Sequence, residues 1–324
     1  MTAEGVTSPG DPVGSRTEEP AFEAAWRADQ AYLVDLAYRV LGDIGTAEDV
    51  VQESFVRLAR TAPGQVRDTR GWLTVVCSRL CLDHLRSARV RRESPHEPFA
   101  FQYAGAAGRE DAVGPADRVT LDDEVQRALQ LVVTRLAPAE RVAFVMHDVF
   151  AVPFPEIAAT LGKSPAACRQ LASRARRRVT ESAGDHQAVL AEARLRPITA
   201  AFLRACANGD LPALTALLHP EVWGTAHLLD HDGVPVAPAS GQTQHGPQKV
   251  GRTLLRFFGD VTLVTLPASA PGAVVLRAFR HRQAYAVLIL TTDGSRVRKV
   301  EVTADPGKLR EDRAPQPTAR PGDG

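Results

Sequence analysis

The chain has 324 residues, a net charge of +1, 44% hydrophobic and 24% charged residues, an ordinary globular composition with length enough for two or three domains. No apolar run reaches the roughly 18 residues that a membrane span needs, and no basic segment followed by an apolar stretch marks a secretory signal. The expectation is therefore a cytoplasmic, three-domain protein without membrane contact. Its four cysteines lack a framework spacing and read as small buried apolar groups rather than disulfides. The near-zero net charge conceals two biased stretches. Thr46 to Glu53 is acidic without a base, and Lys163 to Arg178 is basic without an acid, which predicts one basic and one acidic partner.

Residues 1–20, rich in Gly, Pro, Ser, Thr and Glu, predict a disordered tail. From there apolar residues at Phe22, Trp26, Leu33, Leu36, Val40 and Leu41 recur at helical steps up to Gly42. Thr46 followed by Asp49 reads as a capping box that opens a second helix. That helix turns Val50, Val51, Phe55 and Leu58 inward and leaves Glu48, Asp49, Gln52 and Glu53 toward solvent. After Pro63-Gly64 a third helix begins near Asp68 or Thr69, burying Trp72, Leu73, Val76, Cys77 and Leu80. Trp72 is expected in the core. These elements make a first domain over 21–92, and the Pro- and Gly-containing 93–118 a flexible linker.

A second helical domain is expected over 119–184. Leu121, Val125, Leu129, Val132 and Leu136 share one helical face, and Pro138 opens the next helix. Phe154 to Leu161 forms a short helix, Gly162 turns the chain, and Ser164-Pro165 caps a basic helix to about Val179. On that last helix Cys168, Leu171, Ala172, Ala175 and Val179 face inward, while Arg169, Gln170, Ser173, Arg174 and Arg177 face outward. A short helix, a glycine turn and a capped basic helix make a helix-turn-helix, whose second helix suits the DNA major groove. The third domain, 185–309, begins with a helix through Ile198, Phe202 and Leu203, and a short one from Asp210. Strands follow at Val222 to Leu229, Val261 to Leu266, Ala273 to Phe279, Ala284 to Thr291 and Val297 to Thr303, with a helix near Gln248 to Phe258. This order predicts an α+β fold with a mainly antiparallel sheet. The tail 310–324 is expected to be disordered.

The string Leu41-Gly-Asp-Ile-Gly-Thr-Ala-Glu-Asp-Val-Val-Gln-Glu-Ser-Phe-Val-Arg-Leu resembles region 2 of the sigma-seventy family, whose helix binds the coiled coil of the polymerase β′ clamp. The resemblance implies Asp49, Gln52, Glu53 and Phe55 as the core-polymerase set, with Phe55 beneath the acidic face. Arg70-Gly-Trp-Leu and Leu82-Asp-His-Leu-Arg resemble the segment that captures the -10 element in extracytoplasmic-function sigma factors. Arg67, Arg70, Arg79, Arg86 and Arg89 would then hold DNA, and Ala62 to Gly71 would match the loop that takes a flipped-out base. Ser78 or Arg79 stands where family members commonly have Asn.

The segment Ser164-Pro-Ala-Ala-Cys-Arg-Gln-Leu-Ala-Ser-Arg-Ala-Arg resembles region 4 of the subgroup fused to a SnoaL-like domain. It implies a -35 set of Lys163, Ser164, Arg169, Gln170, Ser173, Arg174 and Arg177, with the polymerase β flap as a further partner. Arg196-Pro-Ile-Thr-Ala-Ala-Phe-Leu and Gly209-Asp-Leu-Pro-Ala-Leu resemble the start of the SnoaL-like cone. Later motifs depart from the subgroup, at Asp232-Gly-Val-Pro and Asp305-Pro-Gly-Lys-Leu. The resulting expectation is a multidomain protein: two all-α domains followed by an α+β cone that contacts them and regulates initiation. No catalytic residue, cofactor or metal is implied.

Two features point elsewhere. Cys77, Cys81 and His84 share a helical face, but a fourth ligand is missing and such spacing belongs to a core. His227, Asp230, His231 and Asp232 could imitate the acid of a SnoaL-like cyclase, though a loop beside Gly233 accounts for them more simply. An ordinary DNA-binding regulator and an enzyme working through the cone are the rival classes. Run-off transcription with core polymerase separates all three.

Overall fold

The computed structural model describes residues 18–62, 64–93, 136–183, 186–228, 243–259, 261–266, 268 and 272–304. The first three helices are α1 (Glu18–Leu41), α2 (Ile44–Ala59) and α3 (Thr69–Glu93). α1 therefore begins inside the stretch read as a tail. Gly42, with φ 80°, ends α1 by placing its N–H 2.7 Å from the Tyr38 carbonyl, a left-handed closure that costs glycine least. The cap of α2 is Asp43 rather than the expected Thr46–Asp49 box: its carboxylate accepts from the Thr46 N–H at 2.7 Å and from the Thr46 hydroxyl at 2.7 Å. A carboxylate at that place also suits the positive end of the helix dipole, and it leaves Asp49 pointing outward. Leu33, Leu36, Val51, Phe55, Leu73 and Cys77 are buried where the three helices meet. Trp72, expected in the core, is only half-buried.

The second body comprises α4 (Pro138–Phe144), a π-helical segment at Val145–Val149, α5 (Phe154–Leu161) and α6 (Pro165–Ala183). The helix expected upstream lies outside the described residues, apart from buried Leu136. The π-helical segment was not legible from periodicity. It ends with Ala151 at φ 53° and a Val152 N–H bonded to the Met146 carbonyl at 2.8 Å. Gly162, at φ 62°, makes the turn between α5 and α6. The Ser164 hydroxyl accepts from the Ala167 N–H at 3.2 Å and so caps α6.

The third body contains α7 (His186–Ala207), α8 (Leu211–Leu217) and α9 (Pro247–Phe258) against a six-stranded sheet. Its strands are β1 (Leu218–Leu228), β2 (Thr243–His245), β3 (Thr262–Leu266), β4 (Ala273–Arg280), β5 (Gln283–Thr292) and β6 (Val297–Ala304), in the order β2-β1-β6-β5-β4-β3. All pairs are antiparallel except β1 with β6. β2 escaped the sequence reading because three residues are too few to show alternation. One sheet face packs Leu276, Leu288, Leu290 and Val300 against Phe202, Leu214, Leu254 and Phe258.

The opposite face does not meet solvent where it carries Val264, Leu266, Val275, Phe279 and Val287. These residues join one continuous core with the helices of the first two bodies. The period-two alternation of each strand supplies both faces.

β3 is a sheet edge, and an edge strand leaves backbone donors without partners. Here α1 takes one of them. The buried Asp35 carboxylate accepts from the Thr265 N–H at 2.6 Å and from its hydroxyl at 2.8 Å, while Arg39 donates to that hydroxyl oxygen at 2.7 Å. Tyr38 meets Phe279 with ring centroids 5.4 Å apart. The cone is thus fastened to α1 by apolar packing with a satisfied polar centre.

Candidate functional site

Three surfaces collect the residues expected to act. The first is the outer side of α2. Asp49 and Gln52 are exposed, Glu53 is half-buried and paired with Arg57 at 2.9 Å, and Val56 adds the one large apolar side chain strongly exposed among the described residues, at 41%. Val56 was missed, although its spacing of four from Gln52 was readable. Phe55, grouped with the core-polymerase set, lies beneath this surface, as its inward helical position predicts. It is 1% exposed and locked between Phe22 and Trp26, with centroids at 5.8 and 4.7 Å, so it shapes this surface from below and cannot touch a partner.

A turn of the cone lies over the start of the same surface. Register pairs Arg280 with Gln283, leaving His281 and Arg282 as a two-residue hairpin loop, with φ 51° and 64°. Positive φ at both loop residues is the geometry that ordinarily selects Asn-Gly. Non-glycine residues there are strained by roughly 1–2 kcal/mol each. From this turn Arg282 reaches Asp49 through Nη2 and Glu48 through Nε, the latter at 3.3 Å. Thr262 adds a hydrogen bond to Glu48 at 2.8 Å. A Cβ on Gly45 would stand 3.4 Å from the Arg282 side chain, which shows how closely it lies on α2. The two carboxylates hold the Arg282 guanidinium above its ordinary pKa by hydrogen bonding and charge, Asp49 foremost.

The second surface is α3 with the loop before it. Arg67, Arg70, Arg79 and Arg86 are all exposed, and the Arg89 side chain lies outside the described residues. They are not equally available. Arg79 donates to the Ala159 carbonyl of α5 at 2.6 Å, and a cleft of about 270 Å³ lined by Arg79, Asp83, Arg86 and Ala159 to Gly162 separates the two bodies. Arg70 lies 4.2 Å above the Tyr32 ring and 3.7 Å from Asp29. Burial raises the Asp29 pKa, against the pull of Arg70. Ser78 is buried, and its hydroxyl has no hydrogen-bond partner among the described residues. It therefore cannot face DNA, and of the two residues at the family's Asn position only Arg79 is exposed.

The third surface is the outer side of α6. Lys163, Arg169, Gln170, Ser173, Arg174 and Arg177 are exposed, whereas Cys168, Ala172, Ala175 and Val179 are buried. Arg169, Gln170, Ser173, Arg174 and Arg177 together line one shallow depression of about 410 Å³. The remaining arginines of this helix hold it in place: Arg178 hydrogen-bonds Glu140 at 2.6 Å and Arg176 forms an ion pair with Asp148 at 3.0 Å. Arg196, on α7 of the cone, donates to the Asp148 carbonyl. Asp148, in the π-helical segment, thus joins the basic helix to the cone, a role that no local signal announced.

Among the described residues no group of three or more His, Cys, Asp or Glu could hold a metal ion. Cys77 and Cys81 are fully buried, with burial raising the Cys81 thiol pKa, while His84 is exposed. The three do not share one environment. The His227 side chain, and Asp230, His231 and Asp232, lie outside the described residues.

Comparison with known proteins follows the same division. The family described as Sigma-70 region 2 matches residues 25–91, and that described as Sigma-70, region 4 matches residues 126–179. The Mycobacterium tuberculosis protein named "Probable ECF RNA polymerase sigma factor SigI" is 44% identical over 293 residues, covering 90% of this chain and 96% of the relative. The chain belongs to the ECF RNA polymerase sigma factors. The sigma factor SigJ of the same organism is 36% identical over 334 residues, covering 94% of this chain and 98% of the relative. A crystal structure of Mycobacterium tuberculosis SigJ, 31% identical, covers 90% of this chain and 98% of that one with a TM-score of 0.35. As an ECF sigma factor the chain serves RNA polymerase in promoter recognition, and its relatives of this kind are not enzymes. No helix among the described residues is long and apolar enough to cross a membrane.

Proposed function

We propose that this sigma factor docks the β′ clamp of core polymerase through the outer side of α2, holds -10 DNA along α3 and reads the -35 element with α6, region 4 also meeting the β flap. The cone modulates these steps through intramolecular contacts. Each surface has the chemistry its partner requires. Asp49, Gln52 and Glu53 around Val56 give an acidic rim with an apolar centre, suited to a basic helical partner. Exposed arginines on α3 and α6 suit phosphates and guanine edges.

The observation that supports the modulatory part is the reach of the cone's Arg282 onto Asp49 and Glu48 of α2. Separately, the α5 carbonyl at Ala159 takes the Arg79 guanidinium, a contact between the two helical bodies. A chain so arranged must release the Arg79 guanidinium before it can bind DNA, and a basic partner of Asp49 competes with Arg282 for the same carboxylate.

The test is run-off transcription with purified core polymerase and the intact chain carrying Asp49→Lys and Glu53→Lys. Lysine is an adequate helix former, so helicity should remain while core binding and transcript yield fall. Unchanged core affinity with normal helicity would remove α2 from the clamp assignment.

A further inference from the structure

The cone carries a second concentration of positive charge, away from α3 and α6. From Gly233 to Gly259 the sequence contains no Asp or Glu, and α9 lies within that stretch. Val250, Leu254 and Phe258 bury one side of α9 in the cone. Gly251 lets it approach α8 so closely that a Cβ would stand 3.1 Å from Leu211 and Thr215. The opposite side presents Lys249, Arg252 and Arg256, all exposed, at spacings of three and four that align them along the helix.

No described carboxylate pairs with any of the three. Arg256 lies 5.8 Å from the Phe257 ring centroid. A surface salt bridge would have absorbed this charge, as Glu53 does for Arg57 on α2. Here it is left facing outward from a helix whose backbone is fixed.

We propose that α9 is a third DNA-contacting element, in which Lys249, Arg252 and Arg256 engage phosphates of duplex DNA without reading bases. Seven residues at the helical rise place Lys249 and Arg256 about 10 Å apart along the axis. A duplex carries one negative charge per about 1.7 Å of its axis, so such a line meets several phosphates whatever the sequence. The occupant is DNA rather than an acidic protein because a promoter-recognising chain already brings duplex beside itself. Weak phosphate contacts then act at high effective concentration. The inference rests on membership of the sigma family, and not on the individual assignments within α2, α3 or α6.

The experiment titrates holoenzyme, assembled from the full chain and core polymerase, with a labelled promoter fragment at a series of KCl concentrations. The variant Lys249→Gln/Arg252→Gln/Arg256→Gln should reduce the slope of log K against log salt by about 2 to 3. Promoter preference and core affinity should be unchanged. Arg252→Lys/Arg256→Lys should keep the wild-type slope, since a phosphate contact needs the charge and not the guanidinium fork. Lys249→Gln alone should lower the slope by about 1, which decides the matter if the triple variant fails to melt cooperatively. An unchanged slope overturns the proposal. So does a loss of core affinity with the DNA slope intact, which would assign the stripe to an acidic face of polymerase.

Discussion

Arg282 and Asp49 stand 233 residues apart in sequence and are joined as an ion pair on the rim of α2, with Glu48 as the second acceptor. The pair is exposed, so solvent screens it and its contribution is small. Arg282→Glu should therefore raise affinity for core polymerase only slightly, while leaving the thermal melt close to wild type. Surface plasmon resonance on immobilised core polymerase measures this. Equal affinities would mean that the hairpin does not compete for α2.

Phe55 separates shape from contact. Its ring is buried among Phe22 and Trp26, so Phe55→Ala should cost about 3–5 kcal/mol of stability. Phe55→Leu, which retains much of the volume, should bind core polymerase normally once folded. Weak binding by a fully folded Phe55→Leu protein would mean that the aromatic ring acts in recognition.

Asp35 is the polar centre of the junction between α1 and the cone. Asp35→Ala leaves the Thr265 N–H and the Arg39 guanidinium buried without their carboxylate, and breaking such a buried pair costs about 3–5 kcal/mol. Denaturant unfolding should then show the cone separating from the helices before either melts. A single cooperative transition with an unchanged midpoint would count against this account of the junction.

Arg174 lies in the middle of the exposed side of α6. If it makes a bidentate contact to guanine, Arg174→Ala should weaken specific binding by about 1–3 kcal/mol and relax preference at one base position. A uniform loss across sequences, read by competition against a promoter library, would instead make it a phosphate contact.

Asp293 organises the β5–β6 turn. Its carboxylate accepts from the Ser295 and Arg296 N–H groups and the Ser295 hydroxyl, and pairs with Arg298. These hydrogen bonds, the Ser295 backbone donor foremost, hold its pKa well below the usual carboxylate range. A lowered folded-state pKa adds stability above the unfolded value near 3.8, and that stability is lost as pH falls toward the folded value. Melting curves at pH 7 should therefore place Asp293→Asn below wild type, with the gap closing as the solution is acidified below pH 4. A gap independent of pH would remove the carboxylate from the account.

What could be read from the sequence was what local physics dictates. The inward and outward sides of α2 and α6 followed from helical spacing, and Arg169, Gln170, Ser173, Arg174 and Arg177 are exposed as it predicted. The five main strands showed their alternation. Long-range chemistry left no such trace. Nothing near Asp35 says that it caps a sheet edge, since its partner Thr265 lies 230 residues away. Arg282 sits in a hairpin whose residues argue against the turn they form. The π-helical segment and Asp148 were hidden because one inserted residue shifts the helical period by less than a pattern can register. Phe55 was legible too: its spacing with Val51 and Leu58 put it on the inward side of α2, where its ring is buried.

The separation between Asp35 and Thr265 also sets an order of events during synthesis. Bacterial-scale elongation of about 5–20 residues per second means that Thr265 is made some ten to forty-five seconds after Asp35, and β5 and β6 later still. Throughout that interval α2 has no Arg282 beside it, because the hairpin bearing that residue does not yet exist. The contact of Arg282 with Asp49 and Glu48 can form only after the β4–β5 hairpin has been made. A polymerase that meets the chain in that interval encounters a different protein from the one that accumulates.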